Sequence, residues 1–306
     1  MNNNELSLSK SEITITSIEK GGIPDKSISS SIWNKIYKNK SSQNVQIVMI
    51  DPLYVIIPYF NFCHYKRRKE LFMEFYNRIK NNPYIRIVIC EATESGHEFE
   101  LPHNLPGIFS HIRVTTKHQI WIKECLINMA VGMLPNHWKY ICWLDCDIEF
   151  EDTAWVHNTI EALQKYDVVQ TFSNIVYLGP KNEPIKKEKS FGYMYRKSGK
   201  TYTPAYKYGF WHPGFAWACT KKAYNMMGGL IDYGILGSGD HHMALGLITR
   251  VECSHPKDIH PSYKRLLRDF EKRVLPLKLG YVEGTIKHYW HGDLNLEGSK
   301  SDGIYW

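Results

Sequence analysis

Asp145-Cys146-Asp147 closes the apolar run YICWL, and its two acids have the plainest chemistry in the chain. In an extended segment, residues two apart point the same way. Asp145 and Asp147 therefore converge while Cys146 faces away. Two adjacent carboxylates repel unless a cation lies between them, and a hard divalent ion does this and favours oxygen ligands. Such an ion bridges a diphosphate and neutralises charge on a departing phosphate. The plainer alternative is a solvated acidic turn capping the next helix, since Glu149, Glu151 and Asp152 follow.

Four other constellations could join this pair. His288-Tyr289-Trp290-His291-Gly292 offers imidazole, the usual partner when a manganese-like ion takes nitrogen beside carboxylates; a surface cluster of aromatics and histidines is the other reading. In Gly237-Ser238-Gly239-Asp240-His241-His242, the glycines allow a tight turn and close backbone approach. Asp240 is there either an N-cap, with MALGLI as the helix it opens, or a general base at the mouth of a pocket. Trp211-His212-Pro213-Gly214-Phe215-Ala216-Trp217 sets aromatics around a Pro-Gly turn, as walls of a sugar pocket or as core, with core expected for at least one of Phe215 and Trp217. Pro58-Tyr59-Phe60-Asn61 and Glu91 follow the first two apolar strands, on the same sheet edge as Asp145. The run Lys66 to Lys69 reads as a solvated helix face. No GxGxxG, Walker loop, HExxH or GxSxG is present, which removes the common dinucleotide, P-loop, zincin and hydrolase readings.

These residues need elements to hold them. Apolar strands at 53–60, 85–92, 111–114, 139–147 and 167–172 alternate with helical patterns at 66–82, 118–134 and 153–166. Continuous apolar strands separated by helices predict an α/β fold with a mostly parallel, helix-covered sheet. Residues 1–48 read as an N-terminal extension, with a short strand in SEITITSI and a short helix placing Ile32, Trp33, Ile36 and Tyr37 on one side. The rhythm breaks near residue 179, and the stretch from Lys181 to Tyr208 is long for a plain connection. It is expected to be a mobile loop that orders over a bound donor. A surface helix is predicted at 261–274, a final strand at 280–292, and a polar tail at 293–306.

Composition excludes several classes. The 306 residues are 43% hydrophobic and 23% charged, an ordinary globular composition. No apolar run reaches the roughly 18 residues of a membrane helix, and the polar start lacks the apolar stretch of a signal peptide, so a cytoplasmic location is expected. A net charge of +7 fits an anionic ligand such as a phosphate and does not read as a nucleic-acid arm. The seven cysteines are an odd number lying mostly in apolar stretches, and no disulfide framework is expected. Cys142 and Cys146 have no second pair to complete a closed zinc site.

Taken in order, IPYFN, the acid after the second strand, WIKECLINMA, ICWLDCDIEF, the stretch HPGFAWACTKKAYNMMGGLIDYGILGSGDHHMA and a late histidine resemble the nucleotide-sugar glycosyltransferases of the GT-A fold. The block from Gly214 to Met243 is similar to that of galactosyl- and N-acetylgalactosaminyltransferases. The resemblance covers about residues 50–292. It implies a GT-A (Rossmann-like) domain over 49–292, with a nucleotide-binding half (49–180) and an acceptor half (181–292). It implies that Pro58, Tyr59, Asn61 and Glu91 line the nucleoside pocket, that Asp145 meets ribose or metal, that Asp147 holds the metal, and that His288 or His291 completes that site. Mn2+ or Mg2+ would bridge the diphosphate of a UDP-sugar. Asp240 would take the proton from an acceptor hydroxyl in an inverting transfer to a glycan or glycolipid-type acceptor. Trp211, His212, Gly214, Trp217 and Gly239 would line the sugar pocket.

This chain has Asp240-His241 where the family often reads Glu-Asp, so either residue can occupy the base position, and a retaining mechanism stays open. It offers two late histidines and no C-terminal Arg. A metal-dependent nucleotide-sugar or phosphoester hydrolase, and a non-catalytic carbohydrate-binding relative, are the competing readings.

Overall fold

The computed structural model describes residues 13–21, 51–198, 202 and 211–292. In chain order the elements are β1 (Ile13–Lys20), β2 (Leu53–Phe60), α1 (Lys66–Ile79), β3 (Ile85–Glu94), β4 (Ile108–Thr116), α2 (Lys123–Gly132), β5 (Tyr140–Leu144) and β6 (Ile148–Phe150). They continue with α3 (Trp155–Ala162), β7 (Val168–Gln170), β8 (Asn174–Leu178), β9 (Pro184–Lys189), α4 (Phe191–Lys197), β10 (Ala216–Thr220) and α5 (Lys221–Met227). The last are α6 (Gly239–Leu247), α7 (Pro261–Val274), β11 (Leu279–Tyr281) and β12 (Thr285–His288).

Among these residues the main sheet has the order β1-β4-β3-β2-β5-β10-β7-β11. β2, β3, β4, β5, β7 and β11 run parallel, while β1 and β10 are antiparallel to their neighbours. Side chains alternate along β2. Tyr54, Ile56 and Phe60 enter one core, which is covered by α2, α5, α6 and α7. Leu53, Val55, Ile57 and Tyr59 enter the other, covered by α1 and α3. Each such buried apolar side chain contributes roughly 1.5–3 kcal/mol. The expected α/β architecture, mostly parallel with helices on both faces, is therefore present.

The chain leaves β2 toward β3 and β4 on one side and returns to β5 on the other, which makes β2/β5 the switch point where open α/β sheets place ligands. The β2–β5 ladder stops at Ile56↔Trp143, whereas β2 runs on beside β3 to Phe60↔Ala92. Pro58 lies in that overhang. It costs the sheet no bond to β5, which explains a proline inside a central strand.

A second sheet, β6-β12-β8-β9, differs from the sequence expectation. The C-terminal apolar segment forms two strands, β11 in the main sheet and β12 in the small one, because Gly284 at φ +145° lets the chain turn between them. Residues 184–197, expected to lack regular structure, form β9 and α4. The strand expected at 111–114 is the middle of the longer β4. β1 pairs with the outer edge of β4. The helix expected around residues 32–37, the tail 293–306, and residues 199–201 and 203–208 of the expected loop lie outside the described residues. All seven cysteines are free, and no helix among the described residues is long and apolar enough to cross a membrane.

Candidate active site

The small sheet brings distant residues to the end of β5. Only Asp145, Cys146 and Asp147 separate β5 from β6. β6 pairs antiparallel with β12, so that Ile148 faces His288, and the Tyr289 amide donates to the Asp147 carbonyl at 2.8 Å. That register places Asp147, His288 and His291 together, with one ligand atom from each lying within 4.8 Å of the others. Asp147 Oδ2 is 3.7 Å from His288 Nε2 and 3.6 Å from His291 Nε2. Both separations exceed a hydrogen bond. Asp147 Oδ1 is buried and has no hydrogen-bond partner, an uncommon state for a buried carboxylate oxygen. Burial alone would raise the Asp147 carboxyl, but His288, then His291 and Arg68, outweigh it and hold it below the usual carboxylate range.

A carboxylate with an orphaned oxygen facing two imidazoles is a donor set that fits a divalent transition ion. Both late histidines reach it, where the sequence left a choice between them. His288 is further fixed by ring contacts with Phe215 at 4.7 Å and Tyr177 at 5.4 Å.

Asp145 turns to a different group of residues. Its carboxylate is ion-paired with the buried Lys123 Nζ, and its amide donates to the Phe215 carbonyl at 2.8 Å. Burial raises its carboxyl against the opposing effect of Lys123. Lys123 opens α2, with Glu124 beside it, and burial pushes the Glu124 carboxyl up to about 7. Asp240 lies in the first turn of α6, and its Oδ1 accepts from the His241 amide at 2.7 Å. Desolvation lowers His241 while Asp240 opposes that shift.

Two glycines are required by close approach. A Cβ on Gly239 would sit 2.6 Å from the Glu124 carboxyl carbon. One on Gly214 would meet His212 Cε1 at 2.9 Å and Asp240 Oδ2 at 3.2 Å. Together Lys123, Glu124, Asp240, Trp143, Phe215 and Trp217 line one pocket. His212 stacks on Phe215 with ring centroids 4.4 Å apart, and desolvation lowers it to about 4. Trp217 is buried and donates its indole N–H to the Pro213 carbonyl at 2.6 Å. Trp211 packs instead with Phe191 and Tyr202, in the core away from that pocket's lining.

A second pocket opens at the overhang of β2 and β3, lined by Tyr59, Asn61, His64, Glu91, His97 and Glu100 among others. Glu100 organises it. Its carboxylate accepts from Tyr59 Oη at 2.5 Å and from Asn61 Nδ2 at 2.9 and 3.1 Å, and it lies 2.8 Å from His64 Nδ1. Asn61 also closes a turn, accepting from the Tyr65 amide at 3.0 Å. Pro58, half-buried in the same overhang, is not among the residues that line this pocket. Glu91 lines it but directs its carboxylate into the sheet. Oε1 accepts from the Leu101 amide at 2.8 Å, and Oε2 meets His111 Nε2 at 2.9 Å and Arg113 Nε at 3.4 Å.

Sequence reading missed Lys123, Glu124, Glu100 and Arg68. A signal existed for the first two. Within IWIKECLINMA, Lys123 is spaced four and seven residues from the buried Ile127 and Ala130, which puts a charged residue on the buried face of a helix. Arg68 was read as part of a solvated run, yet it donates to the Phe60 carbonyl at 3.2 Å and influences Asp147.

No protein-family model matches the chain, and no curated protein matches it. Solved structures similar to it include a mannosyltransferase from Pyrobaculum calidifontis in complex with GDP-Man and Mn2+, at 14% identity and a TM-score of 0.39, with 72% of this chain and 61% of that one covered. A mutant Drosophila β1,4-galactosyltransferase 7 in complex with manganese, UDP-Gal and xylobiose is similar at 13% identity and a TM-score of 0.31, over 70% and 73%. The 4-diphosphocytidyl-2C-methyl-D-erythritol synthase of Anaerococcus prevotii is similar at 13% and 0.34, over 76% and 89%.

Proposed function

We propose that this chain is a metal-dependent GT-A glycosyltransferase, with residues 49–292 as its catalytic unit, that moves a sugar from a UDP-sugar to a hydroxyl of a glycan or glycolipid-type acceptor. The observation that carries the reading is the Asp147–His288–His291 group, with its orphaned carboxylate oxygen, at the switch point of the sheet. Asp147, His288 and His291 would hold Mn2+ or Mg2+, and two imidazoles in the set favour Mn2+. When bound, such an ion supplies charge neutralisation for a departing diphosphate.

The chain's own residues supply the rest. Lys123 fixes Asp145 at the end of β5, where it can accept from a ribose hydroxyl. Arg68 adds positive charge on the same side as Asp147 and favours a diphosphate there. The pocket organised by Glu100, with Tyr59, Asn61 and the paired rings of His64 and His97, is placed to receive the nucleoside. Asp240, held at the start of α6 across from Trp143 and Trp217, acts as the base: its carboxylate takes the acceptor proton while the acceptor oxygen attacks the anomeric carbon, inverting it. His212 is kept neutral by burial and backs the pocket wall from behind, stacked on Phe215, without adding charge. His241 borders Asp240 and is the second candidate for the base position.

Thermal stabilisation against UDP, GDP, CDP and ADP, each with and without Mn2+, tests the reading. UDP with Mn2+ should stabilise wild type and leave Asp147→Ala unshifted. Stabilisation by a different nucleotide would replace the donor, and no shift with any nucleotide would remove the enzyme reading.

A further inference from the structure

Glu124 is the one carboxyl group of the Asp240 pocket that the proposed reaction leaves without a task. It is 6% exposed and sits in the first turn of α2. Its Oε2 accepts from the Trp121 indole N–H at 2.8 Å. The absence of a Cβ at Gly239 lets its carboxyl group lie directly against the start of α6, one residue from Asp240. Glu124 and Asp240 thus enter the same pocket from two different helices.

The charges there do not balance. Lys123 is the ammonium that Asp145, Asp240 and Glu124 all act on, and buried like charges cannot all stay ionised without added cations. Burial, and to a smaller extent Asp240, raise Glu124 against the opposing pull of Lys123, so its proton is retained into the neutral range. A neutral carboxylic acid can donate a hydrogen bond as well as accept one. Trp143, Phe215 and Trp217 supply flat apolar walls. Apolar walls with a few convergent polar groups are the chemistry of a pocket for a small polar ring.

We propose that Glu124 is a specificity-determining residue that hydrogen-bonds an acceptor sugar at the hydroxyl neighbouring the one Asp240 deprotonates, and that the surplus of carboxyl groups selects a neutral sugar over an anionic one. This rests on the glycosyltransferase reading of the same site. Asp240 and Glu124, arriving from separate helices, hold two adjacent hydroxyls of one ring. An acceptor bearing a carboxylate or phosphate meets Asp240 and Asp145 with Lys123 already engaged by Asp145, and is repelled.

The test is saturation-transfer NMR with methyl β-D-galactoside, methyl β-D-glucoside and methyl β-D-mannoside as neutral probes and D-glucuronate as the anionic one, recorded in UDP and Mn2+. Wild type should bind at least one neutral probe and not glucuronate. Glu124→Gln, which keeps the acceptor for Trp121 and a donor for the sugar, should bind that probe within about twofold of wild type, and Glu124→Ala should weaken it about tenfold, the scale of a hydrogen bond to a buried polar group. UDP binding should be unchanged in both variants, and Glu124→Gln should unfold cooperatively.

Equal probe binding in wild type and Glu124→Ala overturns the proposal. So does the lack of any neutral probe signal in a protein that still binds UDP, or glucuronate binding as well as the neutral probes. Failure of wild type to bind UDP at all sinks the donor reading instead, and is read separately.

Discussion

Two clusters of buried charge lie on the same sheet, and they are built in opposite ways. At the β3–β4 edge, Glu91 and Arg113 are each 1% exposed, and both carboxylate oxygens of Glu91 are satisfied inward, with His111 Nδ1 the one buried atom of the group that lacks a partner. Glu91 is held by Leu101, His111 and Arg113, and Arg113 is held by Glu19, His103 and the Leu101 and Pro102 carbonyls. At the end of β5, carboxylates outnumber lysines, one oxygen of Asp147 has no partner, and a pocket opens beside Lys123 and Asp240. The first arrangement ties β1 to the sheet through Glu19. The second leaves charge that a ligand must complete. Burial and charge alone do not mark a functional site; an unfilled demand for partners does.

The largest effect should fall on the satisfied cluster. Arg113→Ala strands Glu91 and should cost about 3–5 kcal/mol, a fall in Tm of the order of ten degrees by thermal unfolding, with UDP and Mn2+ still stabilising whatever remains folded. Next, Asp147→Ala should lower UDP release from the donor by about 10²–10³-fold while leaving Tm within a few degrees. A collapse in Tm like that of Arg113→Ala would erase the contrast between the two clusters.

Glu124 sharpens the contrast through pH. Its carboxyl titrates near 7 in the folded chain against an ordinary value of 4.5. The folded state keeps this proton after the unfolded state has released it. Stability from neutral Glu124 is therefore full below pH 4.5 and declines as pH rises to 7. Glu124→Gln cannot lose a proton and should gain on wild type by up to roughly 3 kcal/mol above pH 7, read from denaturant midpoints at pH 5 and 8. An unchanged difference between those two values would place Glu124 with the satisfied group. The smallest effect is Gly239→Ala, which crowds Glu124 and should cost about 1–3 kcal/mol. Most of that loss should be relieved in the Glu124→Ala background, and additive losses would mean that the two residues do not meet.

How much of this was legible in the sequence follows from how local each signal is. Strands β2, β3, β5 and β7 and helix α1 were readable because continuous apolar runs and the spacing of Leu71, Phe72, Phe75 and Ile79 are local patterns. Asp145 and Asp147 were readable as two acids closing an apolar strand, but they lie in the turn between β5 and β6, so the strand period expected to make them converge does not direct them. Their separation into two environments was not readable, since Lys123 lies 22 positions away from Asp145 and its reach depends on how α2 packs. Glu91 was expected in a pocket, and it lines one, but its carboxylate follows His111 and Arg113 across a ladder that sequence does not reveal. The pairing of β12 with β6, which delivers both histidines, is non-local for the same reason.

The placement of β10 has a consequence for motion. This strand comes from the second half of the chain, yet it is inserted antiparallel between β5 and β7 of the first, and β7 touches β5 only through it. The two halves are thus interleaved like the teeth of a zip and have no hinge line between them. Opening the cleft as a pair of jaws would mean pulling a strand from the middle of a sheet. Any adjustment to a ligand falls to surface segments such as 232–238, which leads into Gly239 and Asp240. The β5–β10 ladder holds Asp145 in register with Phe215 as a fixed floor of the cleft.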